Sequence, residues 1–226
     1  MNIYLDIETI ATQSDAVREE IAASITPPGN ISKAETIAAW EAEKKPALVK
    51  EAIAKTSFDG AAGHICCIGW AIGWSKPRSA SITSIDDEKA TLQAVFAEMA
   101  SSVKDEWRVP VIVGHNVANF DIRFIWQRAI ILGVRLPTWF PRDPKPWSSE
   151  VFDTMAAFAG ARGTIGMDRL CRALGMDGKG DIDGSMVGDL WAAGEHEAIA
   201  AYCRADIERT RDIHRRMMVA FGEEAA

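Results

Sequence analysis

Short apolar runs alternate along this chain with longer stretches of helical periodicity, and their order sketches an architecture. Residues 2–7 form an apolar run in which Tyr4 and Leu5 supply β propensity, so a first strand is expected there. Residues 14–24 carry Val17 and Ile21 at helical spacing, with Ile25 just beyond, and Pro27 and Pro28 end that helix. Ser32 and Glu35 have the spacing of a capping box, which predicts a second helix through Trp40. Pro46 interrupts, and residues 47–55 return to a helical pattern. The stretch from about 11 to 58 therefore reads as a helical insertion after the first strand, either a lid over a site or a buttress on the core.

Gly60 and Gly63 mark a turn before a second strand at 64–74, whose hairpin partner falls at 79–85. An amphipathic helix follows at 86–103, with Leu92, Val95, Phe96 and Met99 on one face. Residues 109–114 are wholly apolar, as a strand covered on both faces would be. A helix at 119–132 closes on Gly133. The segment 134–149 fits no regular element and interleaves Arg142 and Lys145 with Trp139 and Trp147. It is either a loop pinned to the core by its tryptophans or a surface on which bases stack. Short helices are expected at 152–158 and 166–174, and a last long helix at about 195–220. Between them, 175–184 is rich in glycine and aspartate, with a spacing that does not fit an EF-hand.

At 226 residues, 48% apolar and 25% charged, the chain is expected to be one α/β domain, 1–226. No apolar run approaches a membrane span, and the carboxylates at positions 6 and 8 argue against a signal peptide. No membrane partner and a cytoplasmic location are the expectation. Cys66, Cys67, Cys171 and Cys203 form no C-x-x-C pair and read as buried free thiols. The net charge of −7 argues against a strong non-specific nucleic-acid binder. It leaves room for an enzyme that meets nucleic acid through metals, because two bound divalent cations would bring the balance to −3.

Candidate chemistry sits at three places. Asp6 and Glu8 are two apart on the first strand and share a face. Like charges side by side repel, so such a pair persists with a cation between its members or open to water. His115-Asn116-Val117-Ala118-Asn119-Phe120-Asp121 directly follows the buried strand, where Asn116 has an alternative role as a helix cap. Tyr202 and Asp206 are four apart on the last helix and share a face, with Arg209 one turn on.

In this order the three stretches resemble the DEDD superfamily of 3′–5′ exonucleases, and the tyrosine four before the last aspartate resembles its DEDDy branch. Asp6-Ile7-Glu8-Thr9, Gly63-His64-Ile65 and Gly114-His115-Asn116 are most similar to stand-alone exonucleases related to the proofreading domain of family B DNA polymerases. The resemblance runs from Met1 to about His214 and is weakest across the helical insertion. It implies a ribonuclease-H-like mixed sheet of about five strands flanked by helices, with Asp6 and Glu8 mid-sheet and Asp206 facing them. It implies two Mg²⁺ or Mn²⁺ ions held by Asp6, Glu8, Asp121 and Asp206, with Asp6 bridging both. Tyr202 would orient the attacking water, and Thr9, Asn116 and Phe120 would contact the terminal nucleotides. The chemistry is coherent, since two hard cations about 3.5–4 Å apart can clamp the attacking and leaving oxygens of a phosphodiester.

His115 and His64 read as structural, and Asp153 as a helix N-cap outside the metal set. The arginines at 204, 209, 211, 215 and 216 read mostly as a solvated face, with one or two reaching phosphate. The implied activity is release of nucleoside 5′-monophosphates from a free 3′ end of single-stranded DNA. DNA is favoured over RNA by the family B resemblance alone. Alternatives are an exoribonuclease with the same chemistry, or a non-catalytic nucleic-acid-binding module on the same fold.

Overall fold

The computed structural model describes residues 1–103, 109–145, 147–160, 162–178, 180 and 182–222. Positions 146, 179 and 181, inside the two expected loops, lie outside the described residues. The chain runs β1 (Asn2–Ile10), α1 (Asp15–Ser24), α2 (Ala34–Glu43), α3 (Lys45–Lys55), β2 (His64–Ile72), β3 (Arg78–Ser81), α4 (Glu88–Ser102), β4 (Val111–Gly114) and α5 (Asp121–Leu132). It continues with β5 (Val151–Asp153), α6 (Thr154–Ala159), α7 (Met167–Ala173), α8 (Val187–Ala192) and α9 (His196–Phe221).

The five strands form one mixed sheet in the order β3-β2-β1-β4-β5. β1 lies in the middle, antiparallel to β2 and parallel to β4. Alternation along β1 sorts its side chains between two layers. Ile3, Leu5 and Ile7 pack with Leu92, Phe96 and Met99 of α4 and Ile122 and Ile125 of α5. On the other face Tyr4 packs with Ile207 of α9, and Ile10 with Val187 of α8 and Ile199 and Cys203 of α9. Asp6 and Glu8 belong to this second row.

The helical insertion is present as α1 to α3, none of which contains a buried residue. Ser14 caps α1, accepting from the Val17 amide. The expected Ser32 capping box does not form: Lys33 occupies the cap of α2 and makes no side-chain cap bond. Pro46 sits in the first turn of α3, where its missing N–H is no loss. The expected helix at 152–158 is divided, because Val151–Asp153 pairs in parallel with β4 and only then does α6 begin. Asp153 is the α6 N-cap, as expected, accepting from the Met155 and Ala156 amides. The short helix α8 had no counterpart in the hydrophobic pattern. In the segment 134–149, Phe140 is buried and Trp139 packs against the core, while Trp147 stays 74% exposed.

One buried polar cluster ties α4 and α5 to β2. Glu88, 1% exposed, accepts from the Ile65 amide at 2.9 Å and from Arg128 Nε and Nη2 at 2.9 and 2.8 Å. His64 Nδ1 lies 3.0 Å from Glu88 Oε2. Burial alone would raise the Glu88 pKa, but the bonds from His64, Arg128 and Ile65 hold it below the usual range. Removing one member of such a set strands a buried charge. Arg128→Met is therefore expected to lower unfolding free energy by about 3–5 kcal/mol, read from urea midpoints at constant m-value. A loss under about 1 kcal/mol would show that the cluster is not holding the two layers together.

Candidate active site

The α9 face of the sheet carries small residues where the acidic pair lies. Ala71 stands opposite Tyr4, Gly69 opposite Asp6 and Cys67 opposite Glu8. A Cβ on Gly69 would fall 2.6 Å from Cys203 Sγ, so glycine is what lets α9 seat against the acidic strand. The buried stripe of α9 includes Ile199, Tyr202, Cys203, Asp206, Ile207 and Thr210, so the chemistry-bearing residues sit within its packing face.

Three elements bring carboxylates to this place. Asp6 and Glu8 come from β1, the latter 8% exposed. Asp206 comes from α9 at 3% exposure, hydrogen-bonded to the Tyr202 side chain one turn before it. Asp121 comes from the first turn of α5, also 3% exposed. Its Oδ1 accepts from the Ile7 amide at 3.0 Å. That amide lies beyond the last β1–β4 pair, Tyr4 with Val113, so Asp121 supplies the acceptor a neighbouring strand no longer offers.

The electrostatics are those of crowded like charge. Burial, and then the charges of Glu8, Asp121 and Asp206, push the Asp6 carboxyl well above the usual range. Burial pushes Asp121 up to about 7 despite the Ile7 hydrogen bond, with Asp153 adding to the rise. Burial and the charges of Asp206, Glu8 and Asp6 push the Tyr202 hydroxyl far above its usual value, so it keeps its proton. Cys203 keeps its proton too, raised by its hydrogen bond with Cys67, by burial and by Asp6 and Glu8. It donates to Asp6 Oδ2 at 3.3 Å. Asp206 has a cationic partner, Arg209, whose Nη1 lies 2.7 Å from Oδ1.

This donor set fits divalent cations. Asp6, Glu8 and Cys203 have potential ligand atoms within 4.8 Å of one another, a group that does not take in Asp121 or Asp206; with the Cys203 thiol protonated, its cation ligands are the carboxylates of Asp6 and Glu8. Carboxylate oxygens are hard donors suited to Mg²⁺ or Mn²⁺. Buried carboxylates that repel one another are relieved either by taking up protons or by a cation between them.

Of the residues expected to meet nucleotides, Thr9 donates its hydroxyl to the Ser57 carbonyl at 2.7 Å. Phe120 packs on the core beside Phe124 and lies 6.2 Å from the Phe58 ring. Asn116 is not a helix cap. It adopts φ 64°, its carbonyl accepts from the Asn119 and Phe120 amides, and its amide donates to Asp153 Oδ1 at 3.0 Å. The α5 N-cap position falls to Phe120. Asn tolerates the left-handed region better than most residues, and the turn it makes delivers Asp121 to β1.

His115 is held between Thr154 Oγ1 at 2.9 Å and the Ile165 carbonyl at 2.8 Å, consistent with a structural role. The α9 arginines form less of a free face than expected. Arg204 bonds Ser79 and Glu197, Arg211 the Ser75 carbonyl, Arg215 pairs with Asp212 and Arg216 bonds the Leu174 carbonyl. Sequence reasoning missed Cys203 and Gly69. Cys203 was within reach, because it stands three residues before Asp206 on the same helix face. Gly69 was not, because its role lies in pairing with Asp6 across the sheet.

The mixed five-stranded sheet flanked by helices is a ribonuclease-H-like α/β fold. The family B DNA polymerase of the hyperthermophilic archaeon Pyrobaculum calidifontis is similar in structure, with a TM-score of 0.58 at 13% identity. The match covers 97% of this chain and 24% of the polymerase, so the chain spans about a quarter of that protein. A comparison with curated proteins found no match. Residues 61–224 match the family described as predicted 3′–5′ exonucleases related to the exonuclease domain of PolB, and the chain belongs to that family. The matched span begins after β1 and the helical insertion, so it takes in Asp121, Tyr202 and Asp206 but not Asp6 or Glu8.

The raised Asp121 pKa carries a sign. Its folded value of about 7 exceeds the ordinary 3.8, so the folded state binds more protons between those values. Without divalent cations, stability is expected to rise as pH falls from about 8 to about 5. Asp121→Asn, which keeps the acceptor for Ile7, should flatten that rise and be the more stable protein at about pH 8. Urea midpoints across pH in EDTA measure this, and a wild-type midpoint that falls steadily over the same interval contradicts it.

Proposed function

We propose that the protein is a metal-dependent 3′–5′ exonuclease of the DEDDy type. It hydrolyses single-stranded DNA from a free 3′ end and releases nucleoside 5′-monophosphates. What supports this reading is the crowding of like charge, in which Glu8, Asp121 and Asp206 each act on the Asp6 carboxyl, with the Tyr202 hydroxyl bonded to Asp206. Asp6, Glu8, Asp121 and Asp206 would hold two Mg²⁺ or Mn²⁺ ions. When bound, these supply the charge that acidifies the attacking water and neutralises the leaving oxygen.

The chain's own residues do the rest. Tyr202 stays protonated and positions the attacking water rather than taking its proton. Water adds its oxygen to the terminal phosphorus, and the bond to the 3′-oxygen of the preceding nucleotide breaks. That oxygen leaves with a proton, and the shortened strand keeps a 3′-hydroxyl. Arg209, whose Nη1 lies 2.7 Å from Asp206 Oδ1, would steady that carboxylate and could pair with a phosphate oxygen of the strand. Thr9 would shape the nucleotide seat through its backbone and carbon surface, since its hydroxyl is already bonded to Ser57, whereas Asn116 would offer its side-chain carboxamide, its backbone N–H being the group bonded to Asp153. Phe120 would support it from the core side.

Among the described residues, no helix is long and apolar enough to cross a membrane. The four cysteines are buried and form no disulfide with one another, which fits a reducing compartment, and cytoplasmic action is part of the proposal.

The test is digestion of 5′-labelled single strands of DNA and RNA with Mg²⁺ or Mn²⁺. A descending ladder, abolished by EDTA and absent on a circular strand, is expected. Cleavage that persists in excess EDTA, or that opens the circle, contradicts the reading. Asp6→Ala and Asp206→Ala should lose Mn²⁺ binding by calorimetry together with nearly all turnover. Tyr202→Phe should keep metal binding and slow single-turnover cleavage by up to about a hundredfold, as a positioning loss does. If Tyr202→Phe loses metal as completely as Asp6→Ala, the division of roles is wrong.

A further inference from the structure

The last turn of the helical insertion carries an aromatic side chain that packing does not explain. Phe58 ends a 3-10 turn, Thr56–Phe58, and is 73% exposed. A large apolar ring left in water gains nothing from folding, whereas one held beside a substrate cleft can gain on binding. Two features fix where it stands.

The turn is tied to the strand that bears the acidic pair. Thr9 Oγ1 donates to the Ser57 carbonyl at 2.7 Å, and the Thr12 amide donates to Thr56 Oγ1 at 2.8 Å. From the other side the Gly63 amide bonds the Asp59 carbonyl at 2.7 Å. A Cβ on Gly63 would come within 2.4 Å of the Thr56 carbonyl oxygen, so glycine there is required for the close approach. The Phe58 ring also leans on Phe120, at 6.2 Å between centroids and 60° between planes. Phe120 in turn touches Phe124, whose side chain is fully buried. Phe58 is thus the outermost of three rings reaching out from the core. Its neighbour Ser57 is bonded to Thr9, the residue after Glu8 in sequence, and its ring leans on Phe120, the residue before Asp121.

Resting on the function proposed above, we propose that Phe58 is a substrate-contacting residue that stacks on the base of the 3′-terminal nucleotide. The 60° tilt leaves no parallel slot between Phe58 and Phe120, so the base meets the outer face of Phe58 while Phe120 backs it. A nucleotide whose phosphate lies at the carboxylate cleft projects its base away from that acidic, charge-filled space. An apolar π-face at the rim suits every base alike, which is what a sequence-tolerant exonuclease needs. The insertion then contributes a wall of the site, although its three helices bury no residue.

The test compares wild type with Phe58→Ala, Phe58→Leu and Phe58→Trp on single strands ending in an ordinary nucleotide or an abasic one. Phe58→Ala should lower kcat/KM on the base-bearing end by roughly five- to a hundredfold, the range of base–aromatic stacking, and change the abasic end by less than about twofold. Phe58→Trp should restore the difference, and Phe58→Leu should not. Equal losses on both ends would assign Phe58 a structural role and overturn the inference, as would no loss on either. Binding of a strand with 2-aminopurine at its 3′ end, read in EDTA by fluorescence quenching, separates this inference from the exonuclease reading. If wild type degrades no strand, the exonuclease reading fails. Quenching by wild type and not by Phe58→Ala would still support the stacking role, and equal or absent quenching would overturn it.

Discussion

Crowding of like charge on one face of β1 is the constraint to which the surrounding structure answers. Asp6 stands among Glu8, Asp121 and Asp206, and burial together with these neighbours drives its carboxyl well above the ordinary range. No arrangement of apolar side chains would select such a place, since each buried charge without a counter-charge costs several kcal/mol or is discharged by a proton. The fold keeps the cluster by mounting its members on elements that are secured elsewhere. β1 is the central strand, α5 is locked by Arg128 to Glu88, and α9 packs along its length through Ile199, Cys203, Ile207 and Ile213.

Close approach is what turns those elements into a site. The row Ala71, Gly69 and Cys67 on β2 leaves room for α9 directly over Asp6 and Glu8. With a larger residue at Gly69 the helix would ride higher and Asp206 would withdraw with it. The divergence of β4 from β1 after Tyr4 frees the Ile7 amide, and the left-handed turn at Asn116 brings Asp121 to it. A missing side chain, a missing strand partner and one unusual φ together place two of the four carboxylates.

The periphery is organised differently. The insertion α1 to α3 buries nothing and is joined to the core through the polar bonds of Thr9 and Thr12 to its last turn. Thr9, which the family resemblance offered as a nucleotide contact, spends its hydroxyl on that junction. Arg209 is likewise drawn inward to Asp206, so the acidic cleft has one internal cation beside it. Membership of the family related to the PolB exonuclease domain agrees with the elements from β2 onward, while the chain carries its acidic pair and insertion before the matched span.

Local pattern determined a good deal of this by itself. Period-two alternation put Asp6 and Glu8 on one face of a strand, and four-residue spacing put Tyr202 and Asp206 on one face of a helix, because those periods are set by backbone geometry alone. Proline and glycine placed the breaks at Pro27, Pro46 and Gly133, and Asp153 was legible as a helix cap. Local pattern failed where the deciding partner was remote. Residues 152–158 looked helical throughout, but β4 captured Val151–Asp153 as an edge strand. Ser32 had the right spacing for a cap, yet the helix began one residue past Lys33. The thiol of Cys203 against Asp6, the need for Gly69 opposite it and the exposed ring of Phe58 were decided only by tertiary structure. Each depends on which residues meet across strands and layers, and sequence periodicity records the direction a side chain faces but not what it will face.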